Sequence, residues 1–150
     1  MAHLPTICDG CGRVTLTPFA GSDAQPPDCP HCAGARRVVP SCSYTQSDIA
    51  LFDELSDAVT EGLDPIEAQR LGHELSHALW SGTTLEVFDA LASRWPSLMP
   101  LVLVTGRNET HQRRVLLMLK TIFEAVSLTR RSGTVATTVP ATTTNRSRSR

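Results

Sequence analysis

The chain has 150 residues, of which 41% are apolar and only 5% aromatic, so its core must consist mainly of aliphatic side chains. The formal net charge is -1. The first residues show no basic start followed by an apolar run of signal length, and no stretch approaches the ~18 apolar residues of a membrane span. These features disfavour a secreted or membrane protein, and we expect a cytoplasmic chain with one or two small folded units.

Charge is distributed unevenly along the chain. Residues 1–46 are neutral, residues 47–104 carry net -8 and residues 105–150 carry net +7. Charge runs of this kind most often form solvated faces or lie opposite one another within a fold. The alternative is a nucleic-acid-associated protein that binds a polyanion through its basic C-terminal tail and six preceding side chains. These are Arg107, Arg113, Arg114, Lys120, Arg130 and Arg131.

Four of the five cysteines occur as two C-x2-C pairs, Cys8 with Cys11 and Cys29 with Cys32. In a chain without a secretion signal, such pairs are more often metal ligands than disulfides. The two-residue gap allows both sulfurs of a tight turn to lie at ~2.3 Å from one ion, while backbone amides point at the thiolates. The pairs therefore predict a closed tetrahedral site for one structural Zn2+.

Residues 7–40 resemble the zinc ribbon class. The order is a first cysteine knuckle, a strand (RVTLTPF), a loop, a second knuckle (CPHC) and another strand (ARRVVP). The resemblance covers about a quarter of the chain and implies a small antiparallel β unit folded around one structural zinc, without identifying a closer family. Gly12 and Gly34 are expected to supply the unusual backbone angles of the knuckles. His31 and Cys42 are alternative ligands, although four thiolates already complete the shell.

The fold class predicted for the chain is α+β, in three parts. Residues 1–46 form the zinc ribbon and a hinge, and residues 47–131 form an all-α domain of four to five helices. Residues 132–150 are expected to be a disordered tail, because nine of these nineteen residues are Ser or Thr and none is aromatic or Leu.

Local signals mark the ends of the first two helices. Ser47 is expected to cap the first helix and Gly62 to end it. Asp64 followed by Pro65 predicts the start of the second helix, which would run to about residue 80.

Three further helices are predicted in the second half of the chain. Thr83 is expected to cap one that Pro96 ends, and the apolar run at 97–104 is interpreted as a short buried helix. The longest helix is expected over 109–131, with Leu117 and Leu128 opposite its apolar stripe, so that it is either central or uses a second face for a partner. The predicted core residues of this helix are Val115, Leu116, Met118, Leu119, Ile122, Phe123 and Val126.

A second metal-type pattern lies in LGHELSHALW, residues 71–80. His73, Glu74 and His77 stand in the order H-E-x-x-H, by which one helix offers two zinc ligands and a general base, and the stretch resembles the active helix of zincin metallopeptidases. On a helical wheel the two histidines lie opposite the apolar stripe that contains Leu71 and Leu75. We interpret the three polar residues as an exposed face. A metallopeptidase, or a secondary metal or pH-sensitive contact, is the alternative.

The two tryptophans receive different interpretations. Trp95 follows apolar residues at helical spacing and is expected in the core. Trp80 falls beside the histidines and, with Ile66, forms a small apolar patch that would usually pack on a neighbouring helix, with partner binding as the less common case.

Taken together, the residues favour a non-catalytic adaptor or regulatory protein, in which zinc fixes the ribbon and the helices contact a protein partner. The candidate surfaces are the acidic first helices, the second face of the last helix and the patch of Trp80, His73 and His77.

Overall fold

The computed structural model describes residues 2–19, 21, 25–40, 42–100 and 108–133. Within them, three β-strands precede four α-helices, which confirms the α+β class. The strands are Ala2–Cys8 (β1), Val14–Phe19 (β2) and Arg36–Val38 (β3). The helices are Ile49–Thr60 (α1), Pro65–Ser81 (α2), Thr84–Arg94 (α3) and Glu109–Gly133 (α4).

The strands form an antiparallel sheet in the order β2-β1-β3, so β1 is the central strand. The sequence pattern indicates β2 and β3 but not β1, which contains Pro5, a residue that is unusual in a central strand. The structure tolerates Pro5 because only its carbonyl is used: the backbone N–H of Val39 donates to it at 2.8 Å. Proline cannot donate in return, and β3 ends one residue earlier, at Val38.

The two faces of the sheet differ in polarity. Ile7, Val14 and Leu16 are buried in the apolar core on the face towards the helices. On the other face the hydroxyls of Thr6 and Thr17 lie 2.9 Å apart, and both residues are buried. Arg36 donates to the hydroxyl of Thr17 at 3.1 Å and to the carbonyl of Pro27 at 2.6 Å. The second bond ties the loop between β2 and β3 to this face. The polar cluster of this face consists of Thr6, Thr15, Thr17 and Arg36.

The hinge joins the sheet to the helices through Tyr44. The backbones of His3 and Tyr44 exchange two hydrogen bonds of 2.9 and 2.8 Å, which extends the pairing of β1 beyond β3. The ring of Tyr44 packs against Phe52 with centroids 5.5 Å apart, and its hydroxyl lies 2.7 Å from that of Thr121 on α4. One residue thus contacts the sheet, α1 and α4.

The predicted first cap is wrong by two residues. A 3-10 turn at Gln46–Asp48 precedes α1, and Thr45 rather than Ser47 caps it, because Asp48 accepts from the backbone N–H and the hydroxyl of Thr45, both at 2.8 Å. The other signals are confirmed. Gly62 follows α1 with φ of +70°, and the carboxylate of Asp64 accepts from the N–H of Ile66 at 2.7 Å at the start of α2.

Apolar side chains of the sheet and of all four described helices form one hydrophobic core. α4 is its centre, and all seven predicted core residues of this helix are buried. Leu117 is exposed, whereas Leu128 is half-buried against the core, as expected of a central helix that is apolar on more than one face. α2 makes the most extensive contact with α4. The predicted boundary between a ribbon over 1–46 and a helical domain over 47–131 stays a prediction.

The segment after α3 is only partly described. Pro96 ends α3 as predicted and begins a 3-10 turn, Pro96–Leu98, in which Leu98 is buried. The rest of the predicted apolar helix, residues 101–104, lies outside the described residues. α4 continues to Gly133, two residues into the predicted tail, and residues 134–150 also lie outside. None of the described helices combines the length and the apolar composition that crossing a membrane requires.

Candidate metal centre

The sulfurs of Cys8, Cys11, Cys29 and Cys32 converge on one point. All four lie within 4.8 Å of one another, with Cys8 Sγ 3.4 Å from Cys32 Sγ and Cys11 Sγ 3.8 Å from Cys29 Sγ. Thiolates at ~2.3 Å from a tetrahedral zinc ion are separated by about 3.8 Å. The four cysteines are therefore positioned to bind a metal ion.

The two knuckles are built alike. The N–H of Gly12 donates to the carbonyl of Cys8 at 2.9 Å, and the N–H of Ala33 donates to that of Cys29 at 2.8 Å. In each knuckle the first cysteine is buried and the second exposed. Each turn thus presents one sulfur from inside the protein and one from its surface, and the two turns together supply four.

A backbone hydrogen bond joins the two knuckles: the N–H of Asp9 donates to the carbonyl of Ala35 at 2.9 Å. The N–H of Cys29 donates to the carbonyl of Gly34 at 2.9 Å and closes the second knuckle on itself. The Asp9 carboxylate also accepts from Arg37 on β3 at 2.6 Å. Because β1 delivers the first knuckle and β3 follows the second, sheet pairing brings the two C-x2-C pairs together.

The left-handed positions of the knuckles are Gly12 and Ala33, with φ of +70° and +57°. Gly12 is confirmed, but the prediction that Gly34 serves this role is wrong. Gly34 is required for space instead, since a Cβ there would lie 3.1 Å from the sulfurs of both Cys8 and Cys32. At Gly10 a Cβ would lie 3.0 Å from the sulfur of Cys32.

The buried thiols ionise readily. The backbone N–H of Cys11 is the main cause that lowers the pKa of Cys8 to about 6, against burial, which raises it. The pKa of Cys29 is also lowered, chiefly by the backbone N–H of His31. Backbone amides aimed at sulfur stabilise the thiolate, which is the form that binds a metal.

Cys32 behaves in the opposite way. The N–H of Gly34 lowers its pKa, but hydrogen bonding with Cys8, burial and the remaining two sulfurs together raise it to about 11. Its sulfur lies 3.4 Å from that of Cys8, within reach of an S–H···S hydrogen bond. Crowded sulfurs cannot all be charged on their own, and a bound cation removes this conflict.

Neither alternative ligand joins the cluster. His31 lies inside the second knuckle, but its Nε2 is 3.0 Å from Nη1 of Arg13 and its side chain is exposed. Arg13 also forms a 3.1 Å ion pair with Asp57 and so links the second knuckle to α1. Cys42 is exposed and is not one of the converging side chains.

The H-E-x-x-H residues lie on the outer face of α2, as the helical wheel predicts. His73, Glu74 and His77 are exposed, and Glu74 pairs with Arg70 one turn earlier. Among the described residues, the four cysteines are the one group in which three or more potential metal ligands converge. A third ligand for the histidines is therefore not found among the described residues.

The patch at Trp80 differs from its prediction. Trp80 is 92% exposed and Ile66 is 54% exposed, so neither packs on a neighbouring described helix. Trp80 is near the end of α2, on the side opposite the buried residues of that helix, and no other described element covers it. Trp95 is half-buried and lies 5.8 Å from the ring of Phe123, which supports its predicted place at the core.

Comparisons with protein families, with curated proteins and with solved structures found no match to this chain.

Proposed function

We propose that the chain is a non-catalytic zinc protein, in which Cys8, Cys11, Cys29 and Cys32 hold one structural Zn2+. The convergence of the four sulfurs carries this proposal. A tetrahedral set of four thiolates favours zinc or an iron–sulfur centre among biological metals, and two C-x2-C knuckles closed on a small sheet are typical of zinc.

A zinc ion in this place has a structural role. Four thiolates complete the tetrahedral shell and leave no open position for a substrate or an activated water. The ion would join β1 to the turn before β3, and through the shared core its binding energy would stabilise the helices as well.

The helices, in this proposal, present a surface for a protein partner. The support is Trp80, which is 92% exposed on the outer face of α2 beside His77. Tryptophan is enriched among the residues that dominate binding energy at protein interfaces, and exposing it to water without a partner is unfavourable. The outer face of α2 is therefore the surface to test first.

Two of the basic side chains are already paired with carboxylates, which favours a protein partner over nucleic acid. Arg114 pairs with Asp48, and Lys120 pairs with Glu124 at 2.6 Å. Phosphate binding would have to compete with these carboxylates. The side chains of Arg107, Arg130 and Arg131 lie outside the described residues. A nucleic-acid-binding protein would show affinity for DNA or RNA that falls steeply with salt.

The metal assignment is tested by metal content in matched variants. We expect one zinc per chain in the wild type and in the His73→Ala/His77→Ala variant, and none in the Cys8→Ser/Cys29→Ser variant. Two zincs in the wild type, with one lost from the histidine variant, would contradict the non-catalytic proposal and favour the metallopeptidase. An iron–sulfur absorption spectrum would contradict zinc.

The partner surface is tested by photocrosslinking in cells. Trp80 is replaced by benzoylphenylalanine, and the control carries the same residue at Ala90, an exposed position on α3. We expect a discrete protein adduct from position 80, lost when Ile66 is also changed to Ser, and none from position 90. Equal adducts at both positions would contradict a specific surface on α2.

A further inference from the structure

A cavity of about 550 Å³ lies between the hinge and the first turns of α4, away from the cysteine cluster. The described residues around it come from two parts of the chain. Cys42, Ser43, Tyr44 and Asp48 line one side, and Thr110, Arg113, Arg114 and Leu117 line the other. Its volume is within the range of small-molecule sites, ~300–1,000 Å³.

The cavity has an apolar wall. Leu117 is 42% exposed, although its neighbours Leu116 and Met118 on α4 are fully buried. Tyr44, which is buried, also lines the cavity. An exposed leucine within a concave surface offers burial to an aliphatic chain or an aromatic ring.

The cavity also has an uncompensated positive charge. Asp48 is buried, accepts from Thr45 through Oδ2 and faces the guanidinium of Arg114 through Oδ1, so these two opposite charges offset each other. Arg113 is exposed and forms no ion pair with any other described residue. The charge left over at the cavity is therefore that of Arg113, with the exposed edge of Arg114 beside it.

We propose that this cavity binds an amphipathic organic anion, a carboxylate attached to an aliphatic body. The carboxylate accepts hydrogen bonds from Arg113 and from the exposed edge of Arg114, and the apolar body covers Leu117 and Tyr44. Charge complementarity selects the anion because a guanidinium and a carboxylate form paired, charge-assisted hydrogen bonds. The apolar wall requires a hydrocarbon body and disfavours a bare ion.

The test uses the metal-loaded full chain and three ten-carbon probes below their micelle concentrations, with binding measured by calorimetry. We expect decanoate to bind at least about tenfold more tightly than decanol, and decyltrimethylammonium not to bind. Inorganic phosphate alone is expected not to bind. Equal binding of decanoate and decanol would overturn the anion assignment, and tight binding of phosphate alone would overturn the apolar part.

Substitutions at two cavity residues, with two matched controls elsewhere, test whether decanoate binds in this cavity. Arg113→Gln is expected to weaken decanoate binding about tenfold, and Leu117→Ser to weaken both decanoate and decanol. The matched controls are Arg70→Gln on α2 and Leu85→Ser on α3, both exposed and distant in sequence from the cavity. All four changes are at exposed positions, and a thermal melt verifies that each variant folds. Unchanged affinity for decanoate in Arg113→Gln, or an equal loss of affinity in Arg70→Gln, would overturn the proposal. NMR gives a second test: decanoate should change the amide chemical shifts of residues 42–48 and 110–117, and changes confined to other residues would also overturn the proposal.

Discussion

The chain carries two metal-type motifs, and their surroundings in the fold are opposite. The four cysteines come from two distant segments, and sheet pairing closes them into a cluster with two buried members. The H-E-x-x-H residues come from one helix, and that helix turns them towards the surface with Glu74 paired to Arg70. A motif in one segment can place two possible metal ligands at a suitable distance from each other. A metal site also needs ligands from a second segment, which the cysteine pairs supply to each other and which the described residues do not supply to the histidines.

The largest difference between the two motifs is expected on removal of metal. Removal of the proposed zinc ion by a chelator should lower the free energy of unfolding by several kcal/mol, because binding energy at a structural zinc is folding energy. Since the sheet and the helices share one core, far-ultraviolet circular dichroism should show helix unfolding in the same transition. Helices that remain folded with unchanged stability after chelation would contradict this coupling and favour a ribbon that folds independently.

The next largest effect is expected when the space beside the cysteine sulfurs is filled by a Cβ atom at Gly34. Gly34→Ala puts a Cβ 3.1 Å from two sulfurs, so the knuckles must separate, and metal affinity should fall on the order of 10- to 100-fold. Competition with a chromogenic chelator measures this. The matched control is Gly62→Ala, at φ of +70° with nothing within 4 Å, which should cost about 1 kcal/mol of stability without changing metal affinity. Equal metal affinity in Gly34→Ala and the wild type would be inconsistent with the close approach.

A smaller effect of opposite sign is expected at Ala33. Its φ of +57° is unfavourable for a residue with a Cβ, so Ala33→Gly should raise the free energy of unfolding by up to about 1 kcal/mol in the metal-loaded protein. Gly12→Ala, at the equivalent position of the first knuckle, should lower it. Urea denaturation measures both. A lower stability in Ala33→Gly would show that the Ala33 methyl group has a packing role that outweighs the backbone term.

On the helical side, the ion pair of Glu67 with Arg94 joins α2 to α3 and should make stability depend on pH. Arg94 holds the pKa of Glu67 below its ordinary value of 4.5. A lowered pKa means that the contribution is complete above the unfolded value and is lost as pH falls through the folded one. The stability difference between the wild type and Glu67→Gln should therefore be constant from neutral pH to about 5 and shrink below it.

Replacing Arg94 provides the control for this pH effect. In an Arg94→Gln background, the change from Glu67 to Gln should have much less effect on acid unfolding, because the lowered pKa depends chiefly on Arg94. An unchanged pH dependence in that background would assign the effect to another group. Thermal melts between pH 3 and 7 decide between the two results.

The smallest effect is expected for the histidines of α2. His73→Ala/His77→Ala removes two exposed side chains and should change the free energy of unfolding by less than about 0.5 kcal/mol, as is usual for surface positions. Urea denaturation with and without added zinc is the measurement. Stabilisation by zinc in excess of one equivalent, abolished in this variant, would show that the second motif also holds a metal.

Sequence patterns were most informative where the cause is local. Asp64 with Pro65 starts α2 and Gly62 follows α1, because a cap or a left-handed residue acts within one turn of chain. The pattern failed where a distant partner decides. β1 is the central strand although it contains Pro5, since Val39 needs only the carbonyl of that residue. Trp80 is exposed because none of the described elements covers the end of α2, which no property of its own helix reveals.

Spacing and periodicity along the sequence were enough to identify the four cysteines that converge, the α+β class and the face of α2 on which the histidines lie. Tertiary structure alone decided that Ala33 rather than Gly34 takes the left-handed position, that Gly10 and Gly34 make room for sulfur, and that sheet and helices share one core. The physical reason is that steric exclusion and burial arise from atoms that are distant along the chain and meet only when it folds.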